Sequence, residues 1–299
     1  MKPSLQLAMV AFTATLVTSA IAAEPVWMSA VGDALGKKGT AQSGDVYRVG
    51  LPRTDLKVTL DGVEIKPALA LGSWLAFVKH GERGMVMGDL VLLPSEVNPV
   101  MKKLEEDGVE ITGLHNHLLR NDPFTLYMHV LGRGDPVKLA AVLHDALSES
   151  RTPLQNPAPA TAPAASPQID LDTSAIDRAL GHKGTISGGV YQVSIARAEH
   201  IKDSGMDVPE AMGSAIGINF QPTGPGKAAI TGDFVLTAKE VNPVLKALRE
   251  NGIEVTALHN HMLDDQPRLF FMHFWANDDV NKLANGLKMA LAKVNTSKH

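Results

Sequence analysis

The chain has 299 residues with a formal net charge of −4, 44% hydrophobic and 20% charged residues, and no cysteine. That length accommodates about two domains, and the composition is that of a chain that buries cores rather than a disordered one. The charge balance leaves no basic footprint for nucleic acid, and the missing cysteine excludes disulfides, thiolate catalysis, iron–sulfur clusters and cysteine-ligated zinc.

Lys2, the apolar run Leu5 to Val17 and the small residues Ser19-Ala20-Ile21-Ala22-Ala23 have the layout of a cleavable signal peptide over residues 1–23. No lipobox cysteine is available for acylation, and no later stretch reaches the ~20 apolar residues of a membrane span. A periplasmic or secreted protein is therefore expected, with repeat 1 over 24–150, a linker over 151–168 and repeat 2 over 169–299.

In repeat 1, Val46–Leu51, Trp74–Lys79 and Met85–Leu93 read as strands. Asn98-Pro99 suits a helix start, with Asn98 as N-cap and Pro99 at the first helical position, and Gly108 ends that helix. Val109–Leu119 and Thr125–Leu131 read as two further strands joined through Arg120-Asn121-Asp122-Pro123, and Asp135-Pro136 opens a last helix. The expected class is α+β: two tandem repeats, each a mixed or antiparallel sheet whose C-terminal part is β-α-β-β-α, ferredoxin-like, with helices covering one face. The linker follows; its residues 153–167 hold five prolines and no charge, and read as semi-rigid and extended.

Beyond it the sequence repeats at an offset of 144. Residues 85–135 set against 229–279 are identical at 24 of 51 positions, including Gly88-Asp89 with Gly232-Asp233 and Glu96-Val-Asn-Pro-Val100 with Glu240-Val-Asn-Pro-Val244. Within this duplication, Leu114-His115-Asn116-His117 with Met128-His129 returns as Leu258-His259-Asn260-His261 with Met272-His273. Six of the eleven histidines lie in these two copies.

On a strand, His115 and His117 share a face. A turn about Asn121–Pro123 sets His115 opposite His129, and His259 opposite His273, so that three imidazoles converge in each repeat. Leu114, Leu118, Leu126, Met128 and Val130, with Leu258, Met262, Phe270, Met272 and Phe274, then form the opposite, core face. Asn116 and Asn260 interrupt that face and are expected to bond to backbone.

Neutral imidazoles in this number suit a transition metal, zinc first, with copper, nickel or iron as alternatives. Asp89 and Asp233 are candidate fourth ligands, partners of an imidazole, or general bases. The competing reading packs the histidines on Tyr127, Phe271 and Trp275, pairs them with carboxylates, or places them between the repeats. Glu96 and Glu240 are expected at a helix N-terminus, and Arg53 and Arg197 as surface ion pairs or anchors for an anion.

The runs at 232–244 and 256–275 resemble the LppY/LpqO family of exported bacterial proteins. The mycobacterial members of that family are described as lipoproteins; this sequence lacks the acylated cysteine, which implies free export. The resemblance supplies location and duplication, not a chemistry. Three functions remain open: an envelope protein that binds a transition metal or a metal-linked small ligand, a metal-dependent hydrolase of an envelope substrate with Asp89 or Asp233 as base, and a structural or interaction protein. Possible partners are a small ligand or an envelope component.

Overall fold

A computed structural model describes residues 25–156 and 168–297. The expected signal peptide and most of the linker lie outside these residues. Repeat 1 runs α1 (Val26–Leu35), β1 (Thr40–Gln42), β2 (Val46–Pro52), β3 (Val58–Leu60), β4 (Val63–Ile65), α2 (Pro67–Ala70), β5 (Gly72–His80), β6 (Arg83–Leu92), α3 (Pro94–Glu106), β7 (Glu110–His115), β8 (Leu126–Gly134) and α4 (Pro136–Leu147). Repeat 2 runs α5 (Thr173–Leu180), β9 (Thr185–Ser187), β10 (Val190–Ile195), β11 (Lys202–Asp203), β12 (Met206–Asp207), a 3-10 turn (Glu210–Met212), β13 (Ile216–Gly224), β14 (Lys227–Thr237), α6 (Ala238–Glu250), β15 (Glu254–His259), β16 (Asp265–Gln266), β17 (Leu269–Asp279) and α7 (Val280–Leu291).

Each repeat builds a six-stranded antiparallel sheet, β1-β2-β5-β6-β8-β7 and β9-β10-β13-β14-β17-β15. The expected β-α-β-β-α part is present: β6 and β7 flank β8, joined through α3, with α4 following. Alternation along the strands splits the side chains between two faces. One face of the first sheet, with Leu75, Phe77, Leu90, Met128 and Val130, is buried with Val31, Leu35, Val100, Leu104 and Leu143 of α1, α3 and α4.

The other face is covered by the opposite repeat. Residues 53–71 of repeat 1, inserted between β2 and β5, place Leu60, Ile65 and Leu69 in one core with Ala229 and Trp275 of the second sheet. The equivalent insertion of repeat 2 brings Ile201, Val208 and Met212 into one core with Ala76, Met85 and Leu131 of the first sheet. Polar contacts lock this exchange. Thr231 Oγ1 donates to Leu69 O (2.7 Å), Gln221 Nε2 to Glu64 O (2.8 Å) and Arg48 Nη1 to Ala211 O (2.5 Å).

The structure corrects several expectations. The helices read as starting at Asn98 and, by repetition, at Asn242 begin at Pro94 and Ala238, with Pro99 and Pro243 inside them. Glu96 and Glu240 explain the earlier start: each carboxylate reaches back to the amide of Leu93 (2.8 Å) or Thr237 (2.7 Å) and closes the first turn. Arg53 and Arg197 are not surface ion pairs. Each is buried and reaches Glu96 (2.8 Å) or Glu240 (2.9 Å), with Asp55 or Glu199 as second partner. Leu114 and Leu258, expected in the core, are 43% and 48% exposed, because β7 and β15 are edge strands and these residues stand near their ends. The start of the linker is docked rather than free: Lys37 Nζ donates to Pro153 O and Gln155 O, both at 3.1 Å.

Candidate metal centre

β7 is expected to place His115 opposite His129, but the observed register differs by two residues. His115 pairs with Tyr127 and Gly113 with His129, after an irregularity between Ile111 and Gly113; in repeat 2, His259 pairs with Phe271 and Ala257 with His273. A two-residue shift preserves the face, so the imidazoles remain on one side. β7 ends at His115, and His117 follows in the loop. Asn116 Nδ2 donates to Leu118 O and Asn260 Nδ2 to Met262 O, both at 3.0 Å, shaping the two loops alike.

The loops are fixed reciprocally. Thr112 Oγ1 donates to His261 O and Thr256 Oγ1 to His117 O, so each repeat holds the backbone of the other's second histidine. This makes one site of the two histidine sets. His115 lies over His259 with ring centroids 3.5 Å apart, His117 over His273 at 3.5 Å, and His129 over His261 at 3.8 Å. The pattern is that of a pseudo-twofold axis passing between His115 and His259. The outer faces of His117 and His261 stack on Tyr127 (3.5 Å) and Phe271 (3.4 Å). Part of the competing reading is thus observed as well, and the rings are clamped in place.

Asp89 is the direct strand neighbour of His129, and Asp233 of His273. Asp89 lies 3.8 Å from His117 and 3.9 Å from His129; Asp233 lies 3.6 Å from His261 and 3.9 Å from His273. These separations exceed hydrogen-bond length. Two ligands each about 2.1 Å from one ion stand about 3.0 Å apart at a right angle and about 4.2 Å apart when opposed, a range that includes all four.

Burial sets the electrostatics. All six imidazoles are held below their usual pKa because a charged ring would lose its hydration; His115 falls to about 3 and His259 to about 4. The same desolvation pushes Asp233 up to about 8 and raises Asp89 well above the carboxylate range, where the charge of Asp233 adds to it.

The rings are therefore neutral, and the tautomers of His273 and His259 can be read. His273 Nδ1 faces Gly232 O at 2.9 Å and His259 Nδ1 faces Asn260 O at 3.2 Å. A carbonyl only accepts, so Nδ1 carries the proton and Nε2 presents a lone pair. Among the described residues, no hydrogen-bond partner meets Nε2 of His129, His259, His261 or His273, Nδ1 of His115, or Oδ1 of Asp89 and Asp233. Ligand atoms of His115, His117, His129 and His259 lie within 4.8 Å of one another, as do those of His259, His261 and His273. Both groups could hold a metal ion, and His259 belongs to both.

The centre forms one end of a cleft of about 820 Å³ between the two sheets, lined also by Arg48, Trp74, Gly50 and Gly217. Arg48 and Trp74 are the site residues that sequence reasoning missed. They lie far from the histidine motif in the chain, and the only available signal was that they sit on strands facing away from the helices.

A duplicated α+β protein with a shared histidine–aspartate centre between its halves is the class that this fold and site define. The chain belongs to the family described as Domain of Unknown Function (DUF1259), which matches it twice, at residues 29–149 and 174–293. No curated protein matches it. Among solved structures, a trimeric bacterial microcompartment shell protein, PduB, is 12% identical with a TM-score of 0.23, over 86% of this chain and 90% of that one. EtuB from Clostridium kluyveri is 8% identical with a TM-score of 0.20, over 85% and 88%. Likenesses this slight carry no argument about the site. No helix among the described residues is long and apolar enough to cross a membrane.

Proposed function

We propose that this is an exported envelope protein of the LppY/LpqO kind that binds a transition metal, zinc first, at the centre between its repeats. His115, His117, His129, His259, His261 and His273 are the ligands, with Asp89 and Asp233 beside them. The observation that carries this reading is the convergence of buried ring nitrogens, on His115, His129, His259, His261 and His273, that meet no hydrogen-bond partner among the described residues, with His117 Nε2 beside them at 3.0 Å from His115 Nε2. A purely structural cluster of this size would leave each such atom desolvated at a cost of about 1–3 kcal/mol, whereas a bound ion satisfies several at once. The two ligand groups share His259, whose single Nε2 lone pair serves one of them at a time, so they support two overlapping positions for an ion.

A second reading, metal-dependent hydrolysis of an envelope substrate, is favoured by the cleft that opens onto Asp89 and Asp233. There the metal would polarise water and an aspartate would take its proton.

The test is elemental analysis of the chain purified without a histidine tag, beside the His115/His117/His129→Ala triple variant. One or two equivalents of metal per chain, lost in the variant, is the expected result. A chain that stays folded and takes up no zinc, copper, nickel, iron or manganese overturns both metal readings and leaves a structural cluster.

A further inference from the structure

We infer that the cleft takes a small ligand bearing an oxyanion, carboxylate or phosphate, gripped between Arg48 and the histidine–aspartate centre. The inference deepens the metal-binding reading and rests partly on it.

Arg48 projects from β2 on the face turned toward the other repeat. Its guanidinium carbon lies 4.0 Å over the ring of Trp74, and Nη1 donates to Ala211 O. Stack and hydrogen bond together fix the guanidinium plane, while its remaining donors meet no acceptor among the described residues. A planar fork held in this way is suited to a carboxylate or a phosphate group.

The duplication shows that the contact Arg48 makes to the other repeat does not call for an arginine, since Gln192 Nε2 makes the equivalent one to Ala68 O at 2.9 Å. Gln192 stands at the Arg48 position of repeat 2, since Tyr47 and Tyr191 are the preceding residues in the matching strands. The strand ladders likewise put Gly217 beside Asp233 where Trp74 stands beside Asp89. Asp233 is thus half-buried in the matching position with no arginine at the equivalent of Arg48. The histidines and aspartates obey the pseudo-twofold; the walls of the cleft depart from it. A symmetric metal centre does not require that departure, whereas a ligand entering in one orientation does.

Space and charge agree. A side chain added at Gly50 or Gly217, on opposite walls, would meet nothing within 4 Å. Arg48 supplies a fixed positive charge on the wall of the cleft, which an anion would neutralise.

Orthophosphate and malonate are the probes, titrated calorimetrically at fixed ionic strength into zinc-loaded and chelator-treated protein, so that the two arms separate phosphate from carboxylate. Wild-type zinc-loaded protein should bind at least one of them. Arg48→Gln should weaken that binding about tenfold or more. Arg48→Lys should retain part of it, Gly217→Trp should block it, and the zinc content of all three should be unchanged. Binding of neither probe by zinc-loaded wild type overturns the inference, as does equal binding by Arg48→Gln or a loss of zinc in that variant. If the chain takes up no zinc at all, the metal reading fails by itself. The Arg48→Gln comparison in metal-free protein then decides the anion site separately, equal binding or none overturning it.

Discussion

Metal-free protein should be strongly acid-sensitive, and the size of the effect follows from the six buried imidazoles. In the unfolded chain a histidine titrates near 6.5. In the folded chain burial holds His259 near 4 and His115 near 3, and the other four are also pushed down. Below pH 6.5 the unfolded chain therefore takes up protons that the folded chain refuses, and stability falls as pH falls. At the values of His115 and His259 the change from pH 7 to pH 5 is about 2 kcal/mol per ring, and the other four rings act in the same direction. The aspartates act in the opposite sense: Asp233, pushed up to about 8, binds its proton in the folded chain over this range, and Asp89 behaves likewise. Asp233 offsets about 3 kcal/mol, and Asp89 acts in the same sense. Six rings act against two carboxyls, so the net change destabilises the folded chain as pH falls, against a total stability of only about 5–15 kcal/mol for an ordinary domain. Denaturant unfolding of chelator-treated protein at pH 7, 6 and 5 reads this directly, with a steep drop in midpoint expected below pH 6.5. A midpoint unchanged between pH 7 and 5 would refute the reasoning, because it would mean that the rings are solvated or already charged.

Zinc affinity should rise with pH up to about 8, where Asp233 gives up its proton, and Asp233→Asn should flatten that rise; competition with a chromophoric chelator across pH measures both. Arg53→Ala should destabilise the fold by about 3–5 kcal/mol, since it strands Glu96 as a buried, unpaired carboxylate, and thermal melting reads the loss. Gly232→Ala should cost about 1–3 kcal/mol and lower metal content, because its Cβ would stand 2.1 Å from Gly217 O while Gly232 O also orients His273. Gly50→Ala, with open space around it, should melt like wild type in the same assay.

The legible parts of this protein were those set by local chemistry and by repetition. Duplication, the strands around Gly88-Asp89 and Gly232-Asp233, and the shared face of the histidines follow from identity at a fixed offset and from the two-residue period of a strand. Parity survived even where register did not: the loop from Asn116 to Thr125 is longer than the tight turn its Asn-Asp-Pro run suggests, because Asn116 and His117 leave the ladder to meet their own loop and Thr256. The helix start at Pro94 was hidden by an Asn-Pro pair that has all the local marks of a cap. What overrides those marks is Glu96, whose partner Arg53 lies 43 residues away. The packing of one repeat's insertion on the other repeat's sheet was not legible at all, since a sheet face rich in Ala, Thr, Gln and Met reads equally well as solvated or as covered.

That packing accounts for why both copies keep a whole histidine set. β6 and β8 of the first sheet turn one face to their own helices and the other to repeat 2, so repeat 1 does not bury its sheet alone. The loops that present His117 and His261 are each tied down by a threonine of the other repeat. Losing the histidines of one copy would strip the stacking partner from every histidine of the other, since each ring is paired across the axis. The ring nitrogens that remained would be buried without the second half of the cluster. A duplication that pooled its two sites into one cannot let either copy decay, whereas the cleft walls, which take no part in that pairing, are free to differ, as Arg48 and Gln192 do.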